Sequence, residues 1–214
     1  MEEHMLAGHR KFSSSRRLCV VGPSLISLVV AWVATGCATP PPVQGPESGA
    51  SPLPAELAVH LRLVEPTAEQ TGWVDRATGE PGHGGVTEGL PTELVESAPV
   101  YRMWNGPESG TNNRIGGWWT LTPPSGDVAT YRADYAICTE LNELRWVAQC
   151  ELAAGTFVVV GPTQSAQCND PTESYPPSAD AWQVYVPNAA TNPGLHCPEP
   201  TADREANPND LAAP

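Results

Sequence analysis

Lysine is almost missing from this sequence of 214 residues: Lys11 is the only one, and the seven basic residues beyond position 36 are all arginine. The same stretch holds 22 of the 24 acidic residues, a formal charge of −15. With no basic patch to displace counterions from a phosphate backbone, nucleic-acid binding is excluded as an expectation. No C-x-x-C occurs, and the three histidines beyond position 36 (His60, His83 and His196) stand far apart, so no metal site is expected. Phosphate-loop, Rossmann, nucleophile-elbow and H-E-x-x-H patterns are also lacking, which leaves those enzyme classes without support. The longest apolar run, Leu18 to Ala34, contains Pro23 and is short for a membrane-spanning helix. What the chain does have is 24 Pro and 19 Gly, many of them in clusters, and seven Trp, which suit a small β-rich core flanked by extended segments.

The N-terminal segment has an ordered grammar. Arg10, Lys11, Arg16 and Arg17 form a basic region, Leu18 to Ala34 an apolar one, and Ala34-Thr35-Gly36 supplies small residues directly before Cys37. This resembles the lipobox signal of bacterial lipoproteins. The resemblance implies cleavage before Cys37, diacylglycerol on its thiol and retention in the cell envelope. Ala38 after the cysteine implies the outer membrane if the host is Gram-negative. An uncleaved signal anchor is the rival reading. Residues 1–36 are therefore expected to be a signal peptide, and 37–56 a Pro/Gly/Ser tether that cannot bury a core.

Four cysteines remain: Cys138, Cys150, Cys168 and Cys197. An even count in an exported chain predicts two disulfides, and three pairings are open. Cys138–Cys150 with Cys168–Cys197 is favoured, because each joins sequence neighbours across an expected turn.

Period-2 and helical periodicities divide the rest. Leu57, Val59, Leu61 and Leu63 alternate with polar residues and read as a strand. Residues 65–99 read as an irregular acidic connection with a short helix at Thr92–Ser97. A globular domain is expected over 100–197. Its strands are Val100–Trp104, Trp118–Thr122, Trp146–Leu152, a fully buried Thr156–Val160 and Trp182–Val186, and its main helix is Ser125–Leu144. Residues 161–181 read as a loop and 198–214 as a disordered acidic tail. The expected class is α+β: a small antiparallel-leaning sheet domain with one main helix and two disulfides, flanked by disordered Pro-rich segments.

On the strands, alternation puts Arg102 on one face with Val100 and Trp104, groups Trp118, Thr120 and Thr122, and turns Gln183 and Tyr185 away from Trp182, Val184 and Val186. If these polar faces converge, an Arg fork, hydroxyls, an aromatic ring and an amide share one site. That order resembles the ADP-ribosyltransferase and NAD-glycohydrolase superfamily over roughly residues 100–188. The resemblance implies Arg102 as a phosphate clamp, Gln183 in the place of the late Glu or Gln, and Trp118, Trp119, Thr120, Thr122 and Tyr185 as ligand-binding residues. NAD is then the expected substrate, with no tightly held cofactor. Tyr185 stands where the family's second acidic residue would be, so hydrolysis is implied rather than transfer to protein. The alternative is a non-catalytic binding or structural envelope lipoprotein, held to the membrane through Cys37 and contacting an envelope protein or a small ligand.

Overall fold

A computed structural model gives the structure, described over residues 52–109 and 113–212. The signal segment, Cys37 and the tether through residue 51 lie outside the described residues, as do the last two positions of the tail. No helix among the described residues is long and apolar enough to cross a membrane.

The α+β class holds, with antiparallel sheets and two disulfides. One sheet has five strands in the order β1 (Leu61–Leu63), β2 (Leu90–Leu94), β6 (Phe157–Thr163), β9 (Ser178–Tyr185) and β4 (Trp118–Trp119). The second is built on β5 (Trp146–Leu152), which pairs with β3 (Ala98–Trp104) on one side and with β10 (Leu195–His196) and β11 (Arg204–Glu205) on the other. A small ladder joins β7 (Ala166–Gln167) to β8 (Ser174–Tyr175). The main core includes Val100, Trp119, Cys150, Leu152, Val158, Val160, Val184 and Val186. The β-branched run Val158-Val159-Val160 is fully buried, as its sequence predicts, because β2 and β9 flank it in the sheet. Val159 and Tyr185 belong to another cluster, with Trp73 and Val74 of α2 (Ala68–Ala77).

The segment Trp118–Thr120 links the two sheets. Trp118 and Trp119 pair with Tyr185 and Val184 of β9, and the next residue, Thr120, exchanges both backbone hydrogen bonds with Tyr101 of β3. The chain thus passes from one sheet to the other in a single residue and closes them along one seam. The expected strand Trp118–Thr122 is cut short there.

Several sequence expectations are corrected. Leu57 lies in α1 (Ala55–Ala58) and only Leu61–Leu63 is strand; Leu57 and Leu61 are buried but Val59 and Leu63 stay exposed, so the alternation is not one strand face. Residues 65–99 contain α2 and β2. The helix is nucleated by a capping box in which the Thr67 hydroxyl accepts from the Gln70 N–H and the Gln70 side chain accepts from the Thr67 N–H. Thr92–Ser97 is not helical: Thr92 is fully buried in β2, and its hydroxyl donates to the Val158 carbonyl. The helix expected over 125–144 is only α3 (Val128–Asp134). Asp127 caps it, and Ala136, at φ 49°, turns the chain out of the helix. Residues 161–181 include the end of β6, the β7–β8 ladder and the start of β9. The tail is packed rather than disordered through residue 212: β11 pairs with β5, and Leu211 is fully buried against Met103, Tyr131 and Leu144.

The disulfides are Cys138–Cys168 and Cys150–Cys197, not the pairs of sequence neighbours. Sheet register decides the second. Leu195 lies opposite Leu152 and His196 opposite Glu151, so the next residue, Cys197, falls opposite Cys150. Their Cα atoms are 4.3 Å apart, the close spacing of a non-hydrogen-bonded antiparallel pair. The turn at Ala136 carries Cys138 away from the sheet to Cys168, in a separate cluster with Ala136, Ala166 and Tyr175.

Candidate functional site

Beside the seam lies a cavity of about 250 Å³. Its walls come from β3 and Thr120, from α3 and the turn after it, and from β9 with the loop His83–Gly85. Arg102, Trp118, Trp119, Thr120 and Gln183 all line it, so the polar faces expected to converge do meet. Thr122 and Tyr185 do not. Thr122 is exposed, though its carbonyl accepts the Thr120 hydroxyl at 2.7 Å. Tyr185 packs against Trp118 in a tilted pair with ring centroids 5.1 Å apart and borders a separate shallow cleft with Arg76.

Arg102 is the electrostatic centre. It continues the core-facing line of β3 beyond Ala98 and Val100, and only a minor part of it reaches solvent. Its Nε donates to the Asn113 carbonyl at 2.9 Å and its Nη1 to the Trp118 carbonyl at 2.8 Å. Gly116 passes so close that a Cβ there would lie 2.6 Å from Nη2. No ion pair among the described residues involves Arg102, whereas Arg62, Arg114 and Arg145 each have a carboxylate. Burial pushes the guanidinium pKa below its ordinary value, opposed in part by the Tyr131 oxygen. It still carries its charge at neutral pH.

The remaining walls are aromatic and hydroxylic. Tyr131 comes from α3 and Tyr135 from its C-terminal cap, with rings 4.5 Å apart, and Tyr101 comes from β3. Burial raises the Tyr131 phenol well above its usual range, with a smaller push from Tyr135, against a hydrogen bond with Thr120. Burial, aided by Asp134, pushes Tyr135 up to about 12. Both phenols are therefore neutral at pH 7.

Gln183 is largely committed to the scaffold. Its Nε2 donates to the Gly85 carbonyl at 3.3 Å and to the Thr163 hydroxyl at 3.1 Å, while Thr163 passes its own proton to the Ala181 carbonyl. Two acceptors on one side fix the amide's orientation. Trp119 is likewise spent, its indole N–H donating to the Gly116 carbonyl at 2.6 Å.

Sequence reasoning missed Tyr101, Tyr131, Tyr135 and the His83–Gly85 rim as site residues. The signal for two of them was present: Tyr131 and Tyr135, four residues apart, fall on one face of the expected helix Ser125–Leu144. No Asp or Glu lines the cavity among the described residues. Outside it, Cys138, Glu140 and Cys168 come together, but both sulfurs are consumed by the disulfide. The arrangement can hold an anion against Arg102 and a flat apolar group against the aromatic walls; it offers no carboxylate for acid–base work or for stabilising a sugar cation. Compared with known proteins, the chain matches no family model, no curated protein and no solved structure.

Proposed function

We propose that this chain is a lipid-anchored protein of the bacterial cell envelope whose disulfide-bonded domain binds a small anionic ligand at Arg102. The observation that carries the binding reading is a largely buried guanidinium that lines a cavity and has no carboxylate partner among the described residues. A buried charge is costly unless paired, and a bound anion supplies the missing partner. The lipobox around Cys37 supports the anchor, and two disulfides fit an oxidising compartment.

NAD cleavage is the weaker of the two sequence readings. The cavity's 250 Å³ falls just below the usual range for drug-sized ligands, which begins at about 300 Å³. Gln183 has given its amide protons to Gly85 and Thr163, and no carboxylate among the described residues lines the cavity to stabilise a ribosyl cation.

The test is a thermal-shift screen of small carboxylates, phosphates and neutral analogues against the full chain and Arg102→Gln. A ligand at a hundred times its Kd stabilises by about 2.7 kcal/mol. For a domain of this size that raises Tm by about 5–11 °C. Anions should shift the wild type and fail on the variant. Equal shifts in both proteins, or none in either, would refute the site. Cell fractionation of Cys37→Ser tests the anchor: the variant should lose membrane association.

A further inference from the structure

Resting on that anion-binding reading, we infer that the ligand is a small aromatic monocarboxylate, a one- or two-ring acid whose carboxylate meets Arg102 and whose ring lies among Trp118, Tyr131 and Tyr135. Four observations point to this class. The first is size: about 250 Å³ suits one or two fused rings and a short acid arm. The second is the wall. Aromatic residues from three elements face the space, and aromatic faces prefer offset or edge contacts with another ring. At its margin, Leu141 also lines the cavity although it is 67% exposed, the most exposed of the large apolar side chains among the described residues.

The third is charge count. Apart from exposed His83, Arg102 is the only basic side chain among the described residues that lines the cavity. A phosphate dianion gathers several donors and usually a second cation, whereas a planar carboxylate is satisfied by one guanidinium fork. The formal −15 beyond position 36 also opposes a dianion about twice as strongly as a monoanion. The tyrosines, held neutral, add no competing negative charge. The fourth is Gln183: with its amide nitrogen turned to Gly85 and Thr163, its Oε1 accepts nothing among the described residues. It is not a buried orphan, so it retains access to a donor from outside the protein. A ring N–H or O–H on the ligand fits it.

Indole-3-acetate is a suitable probe, and indole-3-acetamide its neutral match. Calorimetric titration uses the full chain in lipid nanodiscs, with empty discs as blank and with acetate and inorganic phosphate as ring-free anions. The acid should bind about tenfold more tightly than the amide and than either simple anion. Arg102→Gln should bring the acid-to-amide ratio close to one. Because Arg102→Gln disturbs two backbone contacts, exposed Leu141 provides a second handle that leaves the fold intact. Leu141→Glu should lower the acid-to-amide affinity ratio, and Leu141→Arg raise it, by about 3- to 10-fold, the loss of the leucine contact being common to both ligands. Acid and amide binding equally would overturn the carboxylate. Phosphate or acetate matching the indole acid would overturn the aromatic class while leaving an anion site at Arg102. No binding of any anion would overturn both readings.

Discussion

Asp203→Ala is the substitution whose cost the structure fixes best. Arg114 and Asp203 form a forked ion pair, Nε to Oδ2 at 2.6 Å and Nη2 to Oδ1 at 2.9 Å, with side chains 7% and 1% exposed. The Pro198 carbonyl takes a further bond from Nη2 at 2.7 Å. Removing the carboxylate strands a guanidinium in a dry site with one neutral acceptor. Loss of one partner of a buried pair costs about 3–5 kcal/mol, whereas an exposed pair is worth about 0–1 kcal/mol. For a domain of this size the larger figure lowers Tm by about 6–20 °C. Urea unfolding with the disulfides intact, followed by tryptophan fluorescence, measures it, and an unchanged m-value confirms that the same transition is compared. The charge-free pair Arg114→Met with Asp203→Leu should recover most of the loss, because the penalty lies in the orphaned charge and not in missing attraction. There is a second readout. Asn113, whose carbonyl holds Arg102, directly precedes Arg114, so Asp203→Ala should also weaken anion binding. A stability loss under about 1 kcal/mol would refute the reasoning and place residues 198–212 outside the folded unit.

Three further outcomes follow from the packing. Non-reducing peptide maps should recover Cys138–Cys168 and Cys150–Cys197; spanning 30 and 47 residues, the two bonds should each contribute about 3.5–4 kcal/mol, and a Cys138–Cys150 peptide would contradict the β10–β5 register. Gly116→Ala should displace the Arg102 guanidinium and weaken anion binding while costing about 1–3 kcal/mol of stability; unchanged affinity would remove Arg102 from the site. Tyr131 and Tyr135 have folded pKa values raised by burial, so their contribution is complete below about pH 10, the unfolded value, and is lost as pH rises through the folded ones. Tm should therefore fall on the alkaline side from about pH 10, and a Tyr131→Phe, Tyr135→Phe double variant should flatten that fall.

The parts of the fold legible in the sequence are those where one local period decides everything. Trp146–Leu152 alternates and is a strand over that span; Val158–Val160 is continuously apolar and sits mid-sheet. Trp182, Val184 and Val186 join the main core while Tyr185 joins the cluster beneath α2, so the faces of that strand are as the alternation has them. Convergence of Arg102, Thr120 and Gln183 was legible for the same reason. What was not legible depends on partners distant in sequence. Thr92 is buried because Val158 requires a neighbour, and nothing near Thr92 announces it. The early end of α3 is a local event that its spacing hides: Ala136 takes a positive φ, Ile137 returns its N–H to the Arg132 carbonyl, and Arg132 donates to the Ile137 carbonyl. Acidic, Pro-rich composition hides the C-terminal strap, whose anchors are one leucine, one aspartate and two strand residues. α2 is a different case, since Thr67-Ala68-Glu69-Gln70 spells its capping box in plain sequence while Gly and Pro downstream suggest a loop.

The crossed arrangement of the disulfides bears on how the chain matures. Along the sequence the cysteines run 138, 150, 168, 197, and the native bonds join first to third and second to fourth. A chain threaded N-terminus first presents Cys138 and Cys150 together before either native partner has emerged. An oxidant acting on the nearest thiols would close a loop of 12 residues that β5 cannot accommodate, because Cys150 must point into the core opposite Cys197. Productive oxidation has to wait for β10 to dock, or be corrected by thiol exchange on a timescale of seconds to hours. The yield of folded protein is then governed by the isomerising capacity of the compartment more than by its oxidising power, and refolding from the reduced state should be slow without a thiol shuffle and fast with one.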